Sequence, residues 1–160
     1  MKRIASFSVD HDMLDRGMYV SRVDGDVVTY DIRMKKPNGG DYLANAAIHT
    51  FEHLFATYVR NTKWSDQIIY IGPMGCRTGF YFLVRDTLSR KDALALMCAT
   101  LRFIAAFQDE IPGTQRQECG NYREHDLVGA QREAKAMLPV LEKWTTEQMD
   151  YNYHMKGSTK

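Results

Sequence analysis

The sequence lacks the features that mark secreted, membrane-spanning and nucleic-acid-binding proteins. Its three cysteines cannot all pair and show no disulfide spacing, so a reducing cytoplasm is the expected compartment. No apolar stretch approaches the roughly 18 residues of a membrane helix, and Asp10 interrupts the N-terminal segment before an apolar signal sequence can form. Basic residues form no run and the net charge is +1, so neither nucleic acid nor a membrane is an expected partner.

The composition is that of one ordinary globular domain. Apolar residues make up 44% of the 160 residues and charged residues 26%, and no repeat or low-complexity segment interrupts them. This length allows one domain with a substantial core and is short for two. We therefore predict a single domain over residues 1–160, with about 145–160 as a candidate flexible tail.

Hydropathy patterns predict a mixture of strands and helices. Alternating or aromatic-rich runs predict strands over residues 27–34, 67–71 and 79–85, the last two forming a hairpin. Helical periodicity predicts helices over about 42–60, 89–107 and 126–137, with Asp41 as the N-cap of the first. The last helix is expected to be interrupted or kinked at Pro139 and then to resume toward Trp144. Because these elements do not alternate regularly, the predicted fold class is α+β, with an antiparallel sheet packed against helices.

Residues 49–53 read His-Thr-Phe-Glu-His and are the most informative stretch of the chain. On a helix, His49 and His53 would lie one turn apart on the same face, where both imidazoles could bind one metal ion. Glu52 would lie beside them, where a carboxylate can transfer a proton. The rest of this helix is largely apolar, so histidines buried there need hydrogen-bond partners or a metal. The alternative is that both are ordinary solvated or hydrogen-bonded helix residues.

Cys119, in a predicted loop, is a candidate third ligand. A thiolate and two imidazoles would leave one coordination position open, as in catalytic metal sites, and Gly120 would let the backbone turn around the metal. The alternative for a single cysteine is a small buried hydrophobe. The order His-x-x-Glu-His is also the pattern of inverted zinc peptidases, but these need a carboxylate third ligand on a following helix.

Cys76 lies in a glycine-bracketed turn of the predicted hairpin. Such a cysteine is presented rather than packed, and the neighbouring Arg77 is predicted to lower its pKa. The alternative is a turn cysteine with no role. Cys98 is predicted to be a core residue, and His125 with Asp126 to cap the last helix.

Five segments, taken together and in this order, span nearly the whole chain. They are Ser6-Phe7-x-x-Asp10-His11; Asp31-Ile32-Arg33 with Pro37-Asn38; His49-Thr50-x-Glu52-His53-Leu54; Pro73-Met74-Gly75-Cys76-x-Thr78-Gly79; and Cys119-Gly120. In their order and spacing they resemble the S-ribosylhomocysteine lyase family, whose members make the precursor of autoinducer-2. Each segment alone is unspecific, whereas five in register are specific.

The resemblance implies a metal bound by His49, His53 and Cys119, natively Fe²⁺, with Zn²⁺ or Co²⁺ as substitutes. The implied substrate is S-ribosyl-L-homocysteine, and the implied products are L-homocysteine and 4,5-dihydroxy-2,3-pentanedione. Members of this family are homodimers with two active sites at the interface. The implied biological setting is synthesis of a quorum-sensing signal and the methionine cycle.

The resemblance also implies roles for individual residues. The metal would polarise the sugar carbonyl, Cys76 would move protons on carbon, and Glu52 would move protons among oxygens and in the final β-elimination. The residues implied to hold the substrate are Ser6, His11 and Arg33 at the ribose and Arg60 at the homocysteine end. Three positions depart from the family: Tyr70 and Gly72 stand where an acid and a serine are common, and Phe80 stands where a tyrosine is frequent.

Two other functions stay open from the residues alone. The first is a small zinc peptidase, which peptide hydrolysis lost in Glu52→Gln would support. The second is a non-catalytic metal-binding relative, which stoichiometric metal without thiol release from a ribosyl thioether would support.

Overall fold

The computed structural model describes residues 9–155. These residues form a four-stranded antiparallel sheet packed against helices, which confirms the predicted α+β class. The strands are β1 (Gly17–Asp24), β2 (Val27–Arg33), β3 (Ile68–Pro73) and β4 (Gly79–Arg85). The α-helices are α1 (Asn45–Arg60), α2 (Arg90–Ala106), α3 (Leu127–Glu142) and α4 (Tyr151–Met155), and 3-10 turns lie at His11–Met13 and Ser65–Gln67. None of the helices between residues 9 and 155 combines the length and hydropathy needed to cross a membrane.

The sheet has the strand order β1-β2-β4-β3, and β3 and β4 form the predicted hairpin. The register of β2 against β4 places Arg33, the last residue of β2, opposite Gly79, the first residue of β4. A Cβ atom at Gly79 would collide with the carbonyl oxygen of Ile32, so glycine is required where these strands approach. The end of β2 therefore lies beside the turn between β3 and β4, which contains Cys76.

Aromatic side chains join the sheet to α1. Phe80 and Phe82, two residues apart on β4, are fully buried, as expected for the covered face of a strand. Phe51 of α1 stacks on Phe80 with ring centroids 4.7 Å apart, and the ring of Phe55 lies 5.1 Å from that of Phe82. This packing fixes the position of α1, and with it residues 49–53, relative to the sheet.

The start of α1 differs from the prediction. The helix begins at Asn45, and its N-cap is Ala44, which makes no side-chain capping hydrogen bond. Asp41 is therefore not the N-cap; its carboxylate is ion-paired with Lys35, 2.8 Å away. An ion pair within the segment between β2 and α1 has taken the side chain that the sequence assigned to the helix end.

The last long helix passes the proline at which an interruption or a kink was expected. α3 is not interrupted there: it continues through Pro139 to Glu142, close to the resumption expected toward Trp144. Its N-cap is Asp126, whose side chain accepts a hydrogen bond from the backbone N–H of Gly129. The capping role expected at this helix start is thus confirmed for Asp126.

Residues after α3 pack against β1. The indole N–H of Trp144 donates to the carbonyl oxygen of Met18 at 2.8 Å. The backbone N–H of Val20 donates to the carbonyl oxygen of Met149 at 2.8 Å, and Met149 is fully buried. The segment offered as a candidate flexible tail from about residue 145 is therefore packed against the sheet at Met149.

Candidate functional site

Helix α1 brings His49 and His53 together, as their spacing predicts. Their ring centroids lie 4.6 Å apart. The Nδ1 atom of His49 is 2.8 Å from the carbonyl oxygen of Glu124, and that of His53 is 2.8 Å from the carbonyl oxygen of Pro112. A carbonyl oxygen only accepts, so each ring donates through Nδ1–H and keeps the lone pair on Nε2 for a metal.

The loop before α3 contributes the thiol. Cys119 Sγ lies 3.3 Å from Nε2 of His49, and the backbone N–H of Asn121 points at the same sulfur from 3.4 Å. Cysteine binds a metal as the thiolate. The alternative, that Cys119 is only a small buried hydrophobe, is not favoured, because its sulfur faces the two imidazoles.

His125 is a fourth member of this group that the sequence analysis did not assign to the metal. Ligand atoms of His49, His53, Cys119 and His125 all lie within 4.8 Å of one another. The ring of His125 stacks on that of His49, and its Nδ1 lies 3.1 Å from the hydroxyl of Thr50. Burial and the two neighbouring histidines lower the pKa of His125. The only sequence signal was a third histidine shortly after Cys119.

The donor set fits a first-row transition metal. Neutral imidazoles and a thiolate are the ligands that zinc, iron and cobalt share in proteins. Nε2 of His125 is buried and has no hydrogen-bond partner in the described structure, a cost that a metal or its bound water would remove. Glu52, half-buried, precedes His53 on the same helix and is the carboxylate nearest to it in sequence.

Loop geometry supports the position of His53. Gly113 has a φ of +75°, a conformation that L side chains rarely adopt. A Cβ atom there would lie 3.1 Å from Nδ1 of His53, closer than most contacts. Glycine therefore lets this loop bring the carbonyl group of Pro112 against the ring.

Cys76 forms a second reactive site in the turn between β3 and β4. The residue is exposed, and its Sγ lies 3.1 Å from the hydroxyl of Thr78 and 3.9 Å from Nη1 of Arg33. Partial burial opposes ionisation, but the hydrogen bonds from Thr78 and the charge of Arg33 outweigh it and lower the pKa of Cys76. The thiolate is therefore more accessible than that of a free cysteine, which suits a group that accepts and returns protons.

The cation that lowers the pKa of Cys76 is not the one predicted. Arg77, its neighbour in sequence, has a φ of +58°, and its guanidinium points at the carbonyl oxygen of Leu43. Arg33 takes the predicted role because the strand register brings it beside the turn. Sequence adjacency was a poor guide here because successive residues of a turn face different directions.

Arg33 is held by buried partners. Its guanidinium donates to Asp31 at 3.0 Å and to the Thr78 hydroxyl at 2.8 Å. The Asp31 carboxylate also accepts a hydrogen bond from the hydroxyl of Tyr151 at 2.7 Å. Asp31 and Arg33 are about 5% exposed, so this ion pair is shielded from solvent.

A cavity of about 370 Å³ opens in front of Cys76. Its lining residues are Val9, His11, Ser21, Asp31, Arg33, Asn38, Gly75, Cys76 and Tyr81. A smaller adjoining cavity of about 230 Å³ is also bounded by His11, Arg33 and Cys76. The structure thus brings three of the expected site residues together.

Of the other expected site residues, none that lies within residues 9–155 lines this cavity. Ser6 lies outside the described residues. Arg60 is exposed at the end of α1, where its guanidinium donates to the carbonyl oxygen of Ala56 at 3.2 Å. None of the four metal-group residues is among the residues that line the Cys76 cavities.

The positions that depart from the family pattern have different surroundings. Phe80 is fully buried against Phe51 and is therefore a core residue rather than a lining residue of the cavity. Tyr70 is 51% exposed, and its side chain lies over Gly72, where a Cβ atom would collide with the Tyr70 ring.

Comparison with known proteins agrees with this geometry. A family model described as S-Ribosylhomocysteinase (LuxS) matches residues 4–148. S-ribosylhomocysteine lyase from Phocaeicola vulgatus is 50% identical to the chain over 157 residues, covering 94% of this chain and 98% of the relative. Proteins of the same name from Porphyromonas gingivalis and Desulfotalea psychrophila are 49% and 45% identical, covering 94% of this chain and 99% of each relative. The chain therefore belongs to the S-ribosylhomocysteinase (LuxS) family.

Proposed function

We propose that the chain is a metal-dependent S-ribosylhomocysteine lyase. It cleaves S-ribosyl-L-homocysteine to L-homocysteine and 4,5-dihydroxy-2,3-pentanedione, the precursor of autoinducer-2. The observation that supports this most strongly is the pairing of a His/Cys metal group with a separate thiol whose pKa is lowered, in a member of this family. A zinc peptidase is not favoured, because the fourth side chain near the metal group is His125 and not a carboxylate.

The proposed metal ligands are His49, His53 and Cys119, and the proposed native metal is Fe²⁺, with Zn²⁺ or Co²⁺ as substitutes. The compact arrangement of their donor atoms supports this assignment. When bound, the metal would supply Lewis acidity to the oxygens of the sugar.

Cys76 and Glu52 are the proposed proton-transfer groups. The carbonyl must move from C1 through C2 to C3 of the ribose, and each move takes a proton from one carbon and returns one to its neighbour. The lowered pKa of Cys76 suits a thiolate that accepts and returns such protons. Glu52 moves the accompanying protons among the oxygens. With the carbonyl at C3, loss of the C4 proton expels homocysteine from C5, so no external oxidant is required.

The substrate is proposed to bind in front of Cys76. His11 and Arg33 line the cavity and would donate hydrogen bonds to ribose hydroxyls. We assign Ser6 to the same group, and Arg60 to the homocysteine end, from the family pattern.

A homodimer with shared active sites is the proposed assembly. Glu52 and the metal group lie on α1 and the loop before α3, whereas Cys76 lies in the turn between β3 and β4. The residues that line the Cys76 cavities include neither Glu52 nor any member of the metal group. A single substrate must reach both groups, so a second copy that supplies one of them would complete the site.

We place the enzyme in the cytoplasm, where it would serve both signal synthesis and homocysteine return to the methionine cycle. The three cysteines are free thiols, and two of them have proposed roles that oxidation would abolish.

Thiol release from S-ribosyl-L-homocysteine, followed with a thiol-reactive dye, tests the proposal. Protein loaded with Fe²⁺ or Co²⁺ should release homocysteine, Cys76→Ala should retain metal without turnover, and Cys119→Ala should lose both. Cys98→Ala is the matched control, because Cys98 is buried in the core away from either site. Stoichiometric metal in wild type with no thiol release would instead support a binding-only relative.

The dimer proposal has its own test. Mixing inactive Cys76→Ala and Cys119→Ala subunits should restore about a quarter of wild-type activity, because half the dimers are mixed and each has one intact site. No recovery after verified subunit exchange would place both residues in one subunit's site.

A further inference from the structure

We infer that Tyr151 is a positioning residue for the Cys76 thiolate, acting through Asp31 and Arg33. This inference rests on the proposed function only for its consequence in catalysis. The state of the thiol itself is measurable without turnover.

A continuous chain of hydrogen bonds links α4 to the reactive turn. The Tyr151 hydroxyl donates to Oδ2 of Asp31 at 2.7 Å, and Nη2 of Arg33 donates to the same oxygen at 3.0 Å. The other terminal nitrogen of Arg33 reaches Thr78 at 2.8 Å and Cys76 Sγ at 3.9 Å. Tyr151 therefore touches the carboxylate that sets how the guanidinium lies beside the sulfur.

The carboxylate depends on this hydroxyl because its other contacts are few. Asp31 is 4% exposed, and neither its Oδ1 nor Nε of Arg33 has a hydrogen-bond partner in residues 9–155. A buried carboxylate is stabilised only by the donors that reach it. The Tyr151 hydroxyl disperses part of the Asp31 charge, which leaves more of the positive potential of Arg33 available to the sulfur.

Tyr151 is itself held in place and remains a donor. Its ring stacks on that of Tyr19 with centroids 4.8 Å apart and planes 5° apart. Burial and the neighbouring Asp31 carboxylate raise the pKa of Tyr151, so the hydroxyl stays protonated at neutral pH. The family match ends at residue 148, so Tyr151 lies beyond the matched segment.

Other titratable groups face the Cys76 cavity. Asp31 and Arg33 reach it from β2, Tyr81 from β4, and His11 from the first 3-10 turn. Burial raises the pKa of Tyr81 first, followed by the effect of Asp31, so this phenol stays neutral at physiological pH. His11 is unchanged in the variants compared below, so its contribution to the titration of the thiol is the same in each.

The test is the pH dependence of Cys76 alkylation in Tyr151→Phe. Metal-loaded dimer or monomer, as purified, is treated with iodoacetamide at a series of pH values, and the Cys76 peptide is quantified by mass spectrometry. The ring and its stacking on Tyr19 are kept, so the fold should be retained. In Tyr151→Phe, the pH at which Cys76 alkylation reaches half its maximal rate should rise. The alkylation rate at pH 7 should fall about 3- to 10-fold, as expected for an increase of half to one pKa unit. The plateau rate at high pH should be unchanged.

Tyr153→Phe is the matched control, because Tyr153 is exposed on the same helix. Its midpoint should equal that of wild type. Coincident titrations of wild type and Tyr151→Phe, or a midpoint lowered by the substitution, would overturn the inference. A raised midpoint in a protein that never releases homocysteine would reject the lyase instead, so the two failures are distinguishable.

Discussion

The ring of His125 stacks on the ring of His49, with centroids 4.1 Å apart and planes 20° apart. This contact adds a third imidazole to the two that α1 supplies. Within residues 9–155, the buried Nε2 of His125 has no hydrogen-bond partner. His125 is therefore placed to bind the metal or to orient the water on it.

Replacing His125 with alanine should weaken metal binding about 10- to 100-fold, as observed when outer or inner partners of a metal site are lost. Competition with a chromogenic chelator measures the affinity. The visible absorption of the Co²⁺ form should also change, because the donor set or its geometry changes.

His11→Ala is the control for this measurement, because His11 lines the Cys76 cavity rather than the metal group. Equal affinities and identical Co²⁺ spectra for His125→Ala and wild type would show that His125 neither binds nor orients the metal.

The pKa of Cys76 should rise when Thr78 loses its hydroxyl. Wild-type Cys76 has a lowered pKa, so its thiolate persists below the pH at which a free cysteine is protonated. Thr78→Val removes a hydrogen bond of 3.1 Å to the sulfur while keeping the side-chain shape. Alkylation of Cys76 at neutral pH should slow by about 3-fold or more, with the midpoint moved to higher pH. Thr87→Val, at an exposed position, should leave the titration unchanged.

Phe80→Ala should destabilise the protein by about 3–5 kcal/mol, the range for a fully buried aromatic residue. Phe80 is 0% exposed and packs between the sheet and α1. Urea unfolding followed by circular dichroism measures the change. Tyr70→Ala, at the half-exposed aromatic position of β3, should lower the free energy of unfolding far less than Phe80→Ala. Similar losses at both positions would mean that the stacking of Phe80 on Phe51 contributes little.

Asp126→Ala should destabilise the protein by about 0.5–2 kcal/mol, as expected for loss of an N-cap. The Asp126 side chain accepts from the backbone N–H of Gly129 at 2.8 Å, and its own N–H donates to Thr50 Oγ1. Asp41→Ala tests the contrasting position, since Asp41 is exposed and does not cap α1. In thermal unfolding, Asp126→Ala should have a clearly lower midpoint temperature than Asp41→Ala. The reverse order would contradict the observed cap.

Local periodicity predicted the elements that depend on local sequence. The strand over β2, the β3–β4 hairpin and the three long helices follow from alternation and from helical spacing. β1 was not predicted, because Gly17, Met18 and Tyr19 are buried in succession and the strand does not alternate. It is a strand because it pairs with β2, an interaction between segments that propensity does not describe.

The residues of the candidate site also divide into those that local sequence predicts and those that contacts between distant segments bring into place. The pair His49 and His53 was predictable because both histidines belong to one helix turn. His125 was not, because its contact with Thr50 spans 75 residues of chain. The choice of Arg33 over Arg77 beside Cys76 depends on the β2–β4 register, which no single segment encodes.

The hydrogen bond from Val20 to Met149 has a consequence for the behaviour of the protein at high concentration. β1 is an edge strand, and an edge with free N–H groups can recruit a strand from another molecule. Here one of those N–H groups is occupied from within the chain, next to an irregularity in the pairing between Val20 and Arg22. The opposite edge, β3, ends in Pro73, which has no N–H to offer. At each edge of the sheet, one backbone position is thereby withdrawn from pairing with a strand of another molecule, which disfavours open-ended strand addition at those positions.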